Sequence, residues 1–294
     1  MKASNLFGLG IFIALTFTPL PQVLAQTDSL TFEEAIVKGL IEYEAHAPKT
    51  DRGLELNIES RTDRALLIRI APGGVFTCEG NYQPQVITRD KEILVMAREH
   101  RKVGLSASCG NAVAASPPLS HPFTFSHYLE TDAQRILTEL SDARLDDLNI
   151  VRNVVWMFTN DRPISDLHPR GMDEDTYDFV MKTVREAHGP EFVDTGYRVR
   201  YREVDEGRRF SGIPEELMGK VEVDLRNEEA VAIIMAGEDG RVLRTGAVHF
   251  PPFNGLEKLG FDMDVRGVEA GHYVVQVTSL SDPSSILGSL EVEL

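Results

Sequence analysis

The period of the hydrophobic positions changes twice along the chain, and the changes divide it. In TFEEAIVKGL, Phe32, Ala35, Ile36 and Leu40 share one helical face, and Thr31 with Glu34 three residues later makes a capping-box pattern. From Ile41 to Ser108 short runs follow: LELNIES, RALLIRIAPGGVF, PQVITRDKEILVMA and KVGLSASC. Turn residues such as Pro72-Gly73-Gly74 and Arg89-Asp90 separate them. Short strands at this spacing predict an antiparallel sandwich.

A proline-rich connection, CGNAVAASPPLSHPF, leads into a helical period. Thr131 and Gln134 repeat the capping box, and Ala133, Ile136, Leu137 and Leu140 line one face. The next segment places Leu148, Val151, Val155 and Phe158 on one stripe, widened by Ile150, Val154 and Met157. Only Asn149, Arg152, Asn153 and Trp156 interrupt it. A helix apolar over most of its circumference is a buried one. Arg152 precedes Trp156 by one turn, the spacing at which a guanidinium stacks on an indole. A last helix carries Tyr177, Val180, Met181 and Val184 at helical spacing, and Gly189 and Pro190 sit where it should stop.

After about residue 195 the period of two returns. KVEVDLRN sets Val221, Val223 and Leu225 on one face and Glu222, Asp224 and Arg226 on the other, and GFDMDV and LEVEL read alike. Asp239-Gly240 is a hairpin signal. The expected fold is mainly β with a helical insert, built on two antiparallel β-sandwich domains. The boundaries are an N-terminal helix plus sandwich over 26–120, a helical insert packed on it over 121–190, and a C-terminal sandwich over 196–294.

Composition adds an address. Lys2, an apolar core of about a dozen residues, then Val23 and Ala25 form a secretory signal peptide over 1–25, with cleavage near Ala25. That core is shorter than the roughly 20 residues a span needs, and no later segment is apolar enough to cross a bilayer. The chain is expected to be exported to the periplasm, outer surface or medium. Removing Lys2 takes the formal charge from −16 to −17. Such acidity argues against a nucleic-acid partner, which requires a positive patch; it fits solubility or a salty habitat. In an oxidising compartment Cys78 and Cys109 are expected to form a disulfide. Closing that loop of about 32 residues would add roughly 3–4 kcal/mol on a chain-entropy argument.

Candidate chemistry is sparse. Arg198, Arg200 and Arg202 alternate along one strand face as an anion-contact stripe, because arginine grips carboxylates in bidentate fashion; the same stripe would also serve as a solvated face paired with acidic neighbours. His121 and His127 lack the converging ligands of a zinc site, and DEDTYD lacks the glycine and closing glutamate of a calcium loop. No metal and no cofactor is called for. GLSAS lacks the closing glycine of a nucleophile elbow.

Two resemblances bear on function. VRNVVWMFTND resembles the motif of Gram-positive thioester adhesin domains, in which a glutamine four residues before the tryptophan bonds to an earlier cysteine followed by prolines. Cys109 with Pro117-Pro118 and Trp156 match that pattern, whereas Arg152 stands where the glutamine would be and Asn153 is one residue out of register. A guanidinium cannot form the acyl bond, so the resemblance implies an inherited scaffold with a vestigial site at Cys109, Arg152, Asn153 and Trp156. More broadly, the order of segments resembles exported proteins of Bacteroidota-like bacteria. The C-terminal part, with Asp239-Gly240-Arg241-Val242 and Gly271-His272-Tyr273, resembles the immunoglobulin-like modules of type IX sorting domains and hook-cap proteins. It ends on GSLEVEL instead of a basic strand, which departs from a sorting signal.

The resulting expectation is an exported, non-catalytic binding or structural protein with immunoglobulin-like modules and an unidentified protein or glycan ligand. Two alternatives stand beside it. One is an enzyme using His168 and the Asp173–Asp178 cluster between insert and sandwich; the other is a covalent thioester adhesin.

Overall fold

The computed structural model describes residues 28–48, 53–145, 147–168, 172–189, 195–204, 209–225, 230–251 and 255–294. The expected signal peptide lies outside them. The chain is mainly β, with several antiparallel sheets and a helical segment between two β-rich parts.

The N-terminal part contains β1 (Asp28–Thr31), α1 (Phe32–Val37), β2 (Ile41–His46), β3 (Leu54–Ser60), β4 (Leu66–Ile70), β5 (Gly74–Thr77), β6 (Gln85–Ile87), β7 (Lys91–Val95), β8 (His100–Leu105), β9 (Ala107–Cys109) and β10 (Pro122–Tyr128). The capping box forms as the sequence predicts: Glu34 donates its N–H to Thr31 Oγ1 at 3.1 Å, and Thr31 donates its N–H to Glu34 Oε2 at 2.9 Å. The helix is one turn shorter than its apolar period, because Gly39 at φ +63 turns the chain after Lys38. Phe32 is fully buried against Tyr43, Phe76 and Phe125, with ring centroids 5.0 to 5.9 Å away. The sheets run β1-β4-β7 and β8-β3-β2-β10-β5-β6-β9. Strands β1 and β4 pair in parallel.

Two expectations change in this part. Strand β10 belongs to the seven-stranded sheet: Phe123 pairs with Ala45 of β2, while Thr124 to Tyr128 pair with β5. The stretch expected to open the helical insert at 121 therefore begins with a strand of the N-terminal sheet, and the helices begin at Thr131. The expected disulfide is not formed. Strand β6 separates the two cysteines, since Cys109 pairs with Gln85 and Gln85 with Phe76, two residues before Cys78. Two strand spacings amount to roughly 10 Å, beyond the reach of a disulfide.

The helical segment contains α2 (Thr131–Asp142), α3 (Leu148–Thr159), a 3-10 turn (Ile164–Asp166) and α4 (Glu174–His188). The second capping box does not form. Glu130 takes the N-cap position without a side-chain bond, and Gln134 Nε2 instead donates to Leu129 O at 2.7 Å. Asp147 caps α3 by accepting from Asn149 N at 2.8 Å, and Asp173 caps α4 by accepting from Thr176 N at 2.8 Å. Ile136, Leu137 and Leu140 of α2, four apolar residues of α3, and Val180 and Val184 of α4 share one core with Val75 of β5 and Val86 of β6. The helices thus share a core with two strands of the N-terminal sheet.

The C-terminal part contains β11 (Tyr197–Val204), β12 (Arg209–Leu225), β13 (Val231–Gly237), β14 (Val242–His249), β15 (Gly255–Asp264), β16 (His272–Ser279) and β17 (Ile286–Glu293). Its antiparallel sheets run β11-β12-β15 and β14-β13-β16-β17, and their inner residues form one core. Val221, Val223 and Leu225 point inward and Glu222 and Asp224 outward, as their alternation requires. Asp239-Gly240 makes the β13–β14 turn, with Gly240 at φ +76. Strand β17 passes so close to β12 that a Cβ on Gly288 would lie 2.3 Å from Glu222 O.

Candidate functional site

The richest group of titratable side chains lies where the helical segment meets β11 and β12. Helix α3 brings two different surfaces to its neighbours. Leu148 and Val151 line a groove with Ala107 of β9, the strand that ends at Cys109. Asn149, Asn153 and Trp156 line a crevice facing Tyr201 and Phe210. The Arg152 guanidinium lies 5.9 Å from the Trp156 centroid, and its Nη1 donates to Asn149 Oδ1 at 3.3 Å. Asn153 Nδ2 donates to the Asn149 carbonyl at 2.8 Å. The expected stacking is present. One turn beyond Trp156, Asn160 Oδ1 accepts from Ala112 N at 2.9 Å, three residues after Cys109, so this end of the helix is tied to the segment that follows the cysteine.

Beyond α3, Arg162 and Asp166 are in direct contact across one turn, with the Asp166 side chain only 7% exposed. The register of β11 with β12 sets Glu203 opposite Phe210, and the Tyr201 and Phe210 rings meet edge-on at 4.6 Å. Arg162 covers them, 3.3 Å from the Phe210 centroid and 5.6 Å from that of Tyr201. Burial pushes the Asp166 carboxyl up to about 6; the Arg162 charge pulls it down without cancelling the desolvation. Burial also raises the Tyr201 hydroxyl well above its usual range, assisted by the charge of Asp166.

His168 is buried two residues further on. Desolvation first, then the charges of Arg198 and Arg200, lower its imidazole to about 4, so it is neutral near pH 7. Its Nε2 stands 3.9 Å from Glu216 Oε2, too far for a hydrogen bond, and a neutral ring forms no ion pair there. Desolvation raises the Glu216 carboxyl. Trp156 Nε1 and His168 Nδ1 are both buried without a hydrogen-bond partner among the described residues. The space they border is a crevice of about 50 Å³.

The arginine stripe is compensated by the chain itself. Arg198 Nη2 contacts Glu174 Oε2 at 2.6 Å and its guanidinium lies 4.2 Å above the Tyr177 ring. Arg200 meets Glu216, its directly opposite cross-strand neighbour, at 2.7 Å, and Arg202 meets Glu215 at 3.3 Å. From the acidic run 173–178, Asp173 is occupied as a helix cap and Glu174 as the partner of Arg198. His121 Nε2 contacts Glu79 O at 3.2 Å, and His127 Nδ1 contacts Ser126 Oγ at 3.0 Å. Among the described residues no three His, Cys, Asp or Glu side chains lie together as metal ligands, and no helix is long and apolar enough to cross a membrane.

Sequence reasoning missed Arg162, Asp166, Phe210 and Glu216. The i,i+4 spacing of Arg162 and Asp166 was a usable signal; the pairing of either with β12 had none. No protein family matches the chain, and no curated protein matches it either.

Proposed function

We propose that this chain is an exported, non-catalytic binding or structural protein, cleaved near Ala25, whose β-rich parts present sheet faces and loops to a protein or glycan ligand. One observation carries the non-catalytic reading. The space among Asp166, His168, Tyr201 and Trp156 is about 50 Å³, several times smaller than the roughly 300 Å³ at which small-molecule pockets begin. Arg162 already occupies the place beside Asp166 that a substrate cation would take. The paired C-terminal sheets around one core support an immunoglobulin-like sandwich over 196–294. Support is weaker over 26–120, where a parallel pair and a helix interrupt the pattern. Helix α3 is read as inherited scaffold without thioester chemistry, since Arg152 cannot acylate a thiol.

The enzyme alternative draws on one observation, the opposed pKa shifts of Asp166 and His168. The intact protein should be screened against chromogenic esters, glycosides, phosphates and peptides, and in parallel on glycan and protein arrays. Array binding without turnover is the expected result. Turnover that disappears in both Asp166→Asn and His168→Gln would overturn the reading.

A further inference from the structure

We propose that the C-terminal unit docks on the helical unit through a separable joint: closed in the arrangement described above, and open in a second state that admits water to Trp156. Among the described residues the two sides share no apolar core. The helical core ends at Val184 and reaches back to β5 and β6, while the C-terminal core is drawn entirely from residues 199 to 294. Among the described residues the contacts that span the joint are largely polar or cation–ring ones: the Glu174–Arg198 pair at 2.6 Å, Arg198 over Tyr177, Arg162 over Phe210, and a backbone bond from Phe210 N to Ala112 O at 2.8 Å. Interfaces of this composition between units of one chain separate more readily than apolar ones.

The closed joint is also imperfectly satisfied. Trp156 and His168 are 4% and 7% exposed, yet Trp156 Nε1 and His168 Nδ1 find no hydrogen-bond partner among the described residues. Both border the same small crevice. A buried polar atom left unmet raises the energy of the closed state and recovers its hydrogen bond when water enters. Opening gives both atoms ready access to water, and it uncovers the indole and side-chain amides of Trp156, Asn149 and Asn153. Salt should favour opening. Glu174 is 61% exposed, so its attraction to Arg198 is open to screening.

Trp156 is the only tryptophan, so its fluorescence reports this joint alone. Acrylamide quenching of the full chain should rise about threefold between 0.05 and 1 M sodium chloride, over which the screening length falls from above 10 Å to about 3 Å. The far-UV circular dichroism should stay unchanged. Glu174→Gln should show raised quenching already at low salt and a weaker salt response. Quenching that stays at its low-salt level in both proteins, or that rises only as the circular dichroism is lost, would overturn the proposal. Should Glu174→Gln fail to fold, the salt series on the unaltered protein decides between the same two outcomes.

Discussion

His168 donates its backbone N–H to the carbonyl of Asp166 at 2.8 Å, so one tight turn fixes a buried carboxyl and a buried imidazole side by side. Desolvation is the leading cause of both shifts, yet it moves them in opposite directions, Asp166 up to about 6 and His168 down to about 4. The reason is that burial always penalises the charged form.

The pH dependence of stability follows from those signs. Asp166 is raised from 3.8, so its contribution is fully present below pH 4 and is lost as pH rises to 6. His168 is lowered from 6.5, so its contribution is present above that value and is lost as pH falls towards 4. Each is worth roughly 3 kcal/mol at about 1.4 kcal/mol per pKa unit. They therefore nearly cancel between pH 4 and 6.5. Urea unfolding across this range should show Asp166→Asn losing stability towards acid relative to the unaltered protein, and His168→Gln gaining it. Parallel profiles for all three proteins would contradict the assignment.

Leu137 is fully buried among the three helices. Leu137→Ala should lower unfolding free energy by about 2–5 kcal/mol, the range for a large-to-small change that leaves a cavity. Denaturant midpoints at pH 7 measure it. A loss below about 1 kcal/mol would mean that the helices are not packed as described.

Gly288 needs its missing side chain because of proximity alone, its φ not being in the left-handed region. Gly288→Ala would set a methyl 2.3 Å from Glu222 O and 2.8 Å from Val223 Cγ1. Strand β17 must move off β12, at a cost of about 1–3 kcal/mol. Thermal unfolding should shift downward by several degrees, whereas Gly260→Ala, whose nearest neighbour would be 4.0 Å away, serves as the mild control.

Asp147 holds the first turn of the tryptophan helix with two backbone bonds, to Asn149 N at 2.8 Å and Ile150 N at 3.3 Å. Asp147→Ala should cost about 1 kcal/mol, and Asp147→Ser should recover most of it. Equal losses in the two variants would show that capping is not what the carboxylate contributes.

With β6 between them, Cys78 and Cys109 should titrate as two thiols in denaturant without reductant. A reduction-sensitive mass would instead establish the disulfide expected from the compartment. Loss of ammonia from the intact chain would point to the thioester.

By itself the sequence determined which segments are helices or strands and which of their faces turn inward. The capping box at Thr31, the stripe of α3, the alternation of β12 and the turn at Asp239-Gly240 all depend on neighbours within a few residues. Each therefore leaves a period or a spacing that can be read along the chain. Tertiary structure alone decided the rest. Strand order separated the two cysteines, and β10 joined the N-terminal sheet although its sequence follows a proline-rich connection. Gln134 abandoned its box for Leu129, and Arg162 found Phe210 while Arg198 found Glu174. These outcomes compare contacts between residues tens of positions apart, where the entropy of closing the chain and the fit of two surfaces choose the partner. No local pattern records that choice.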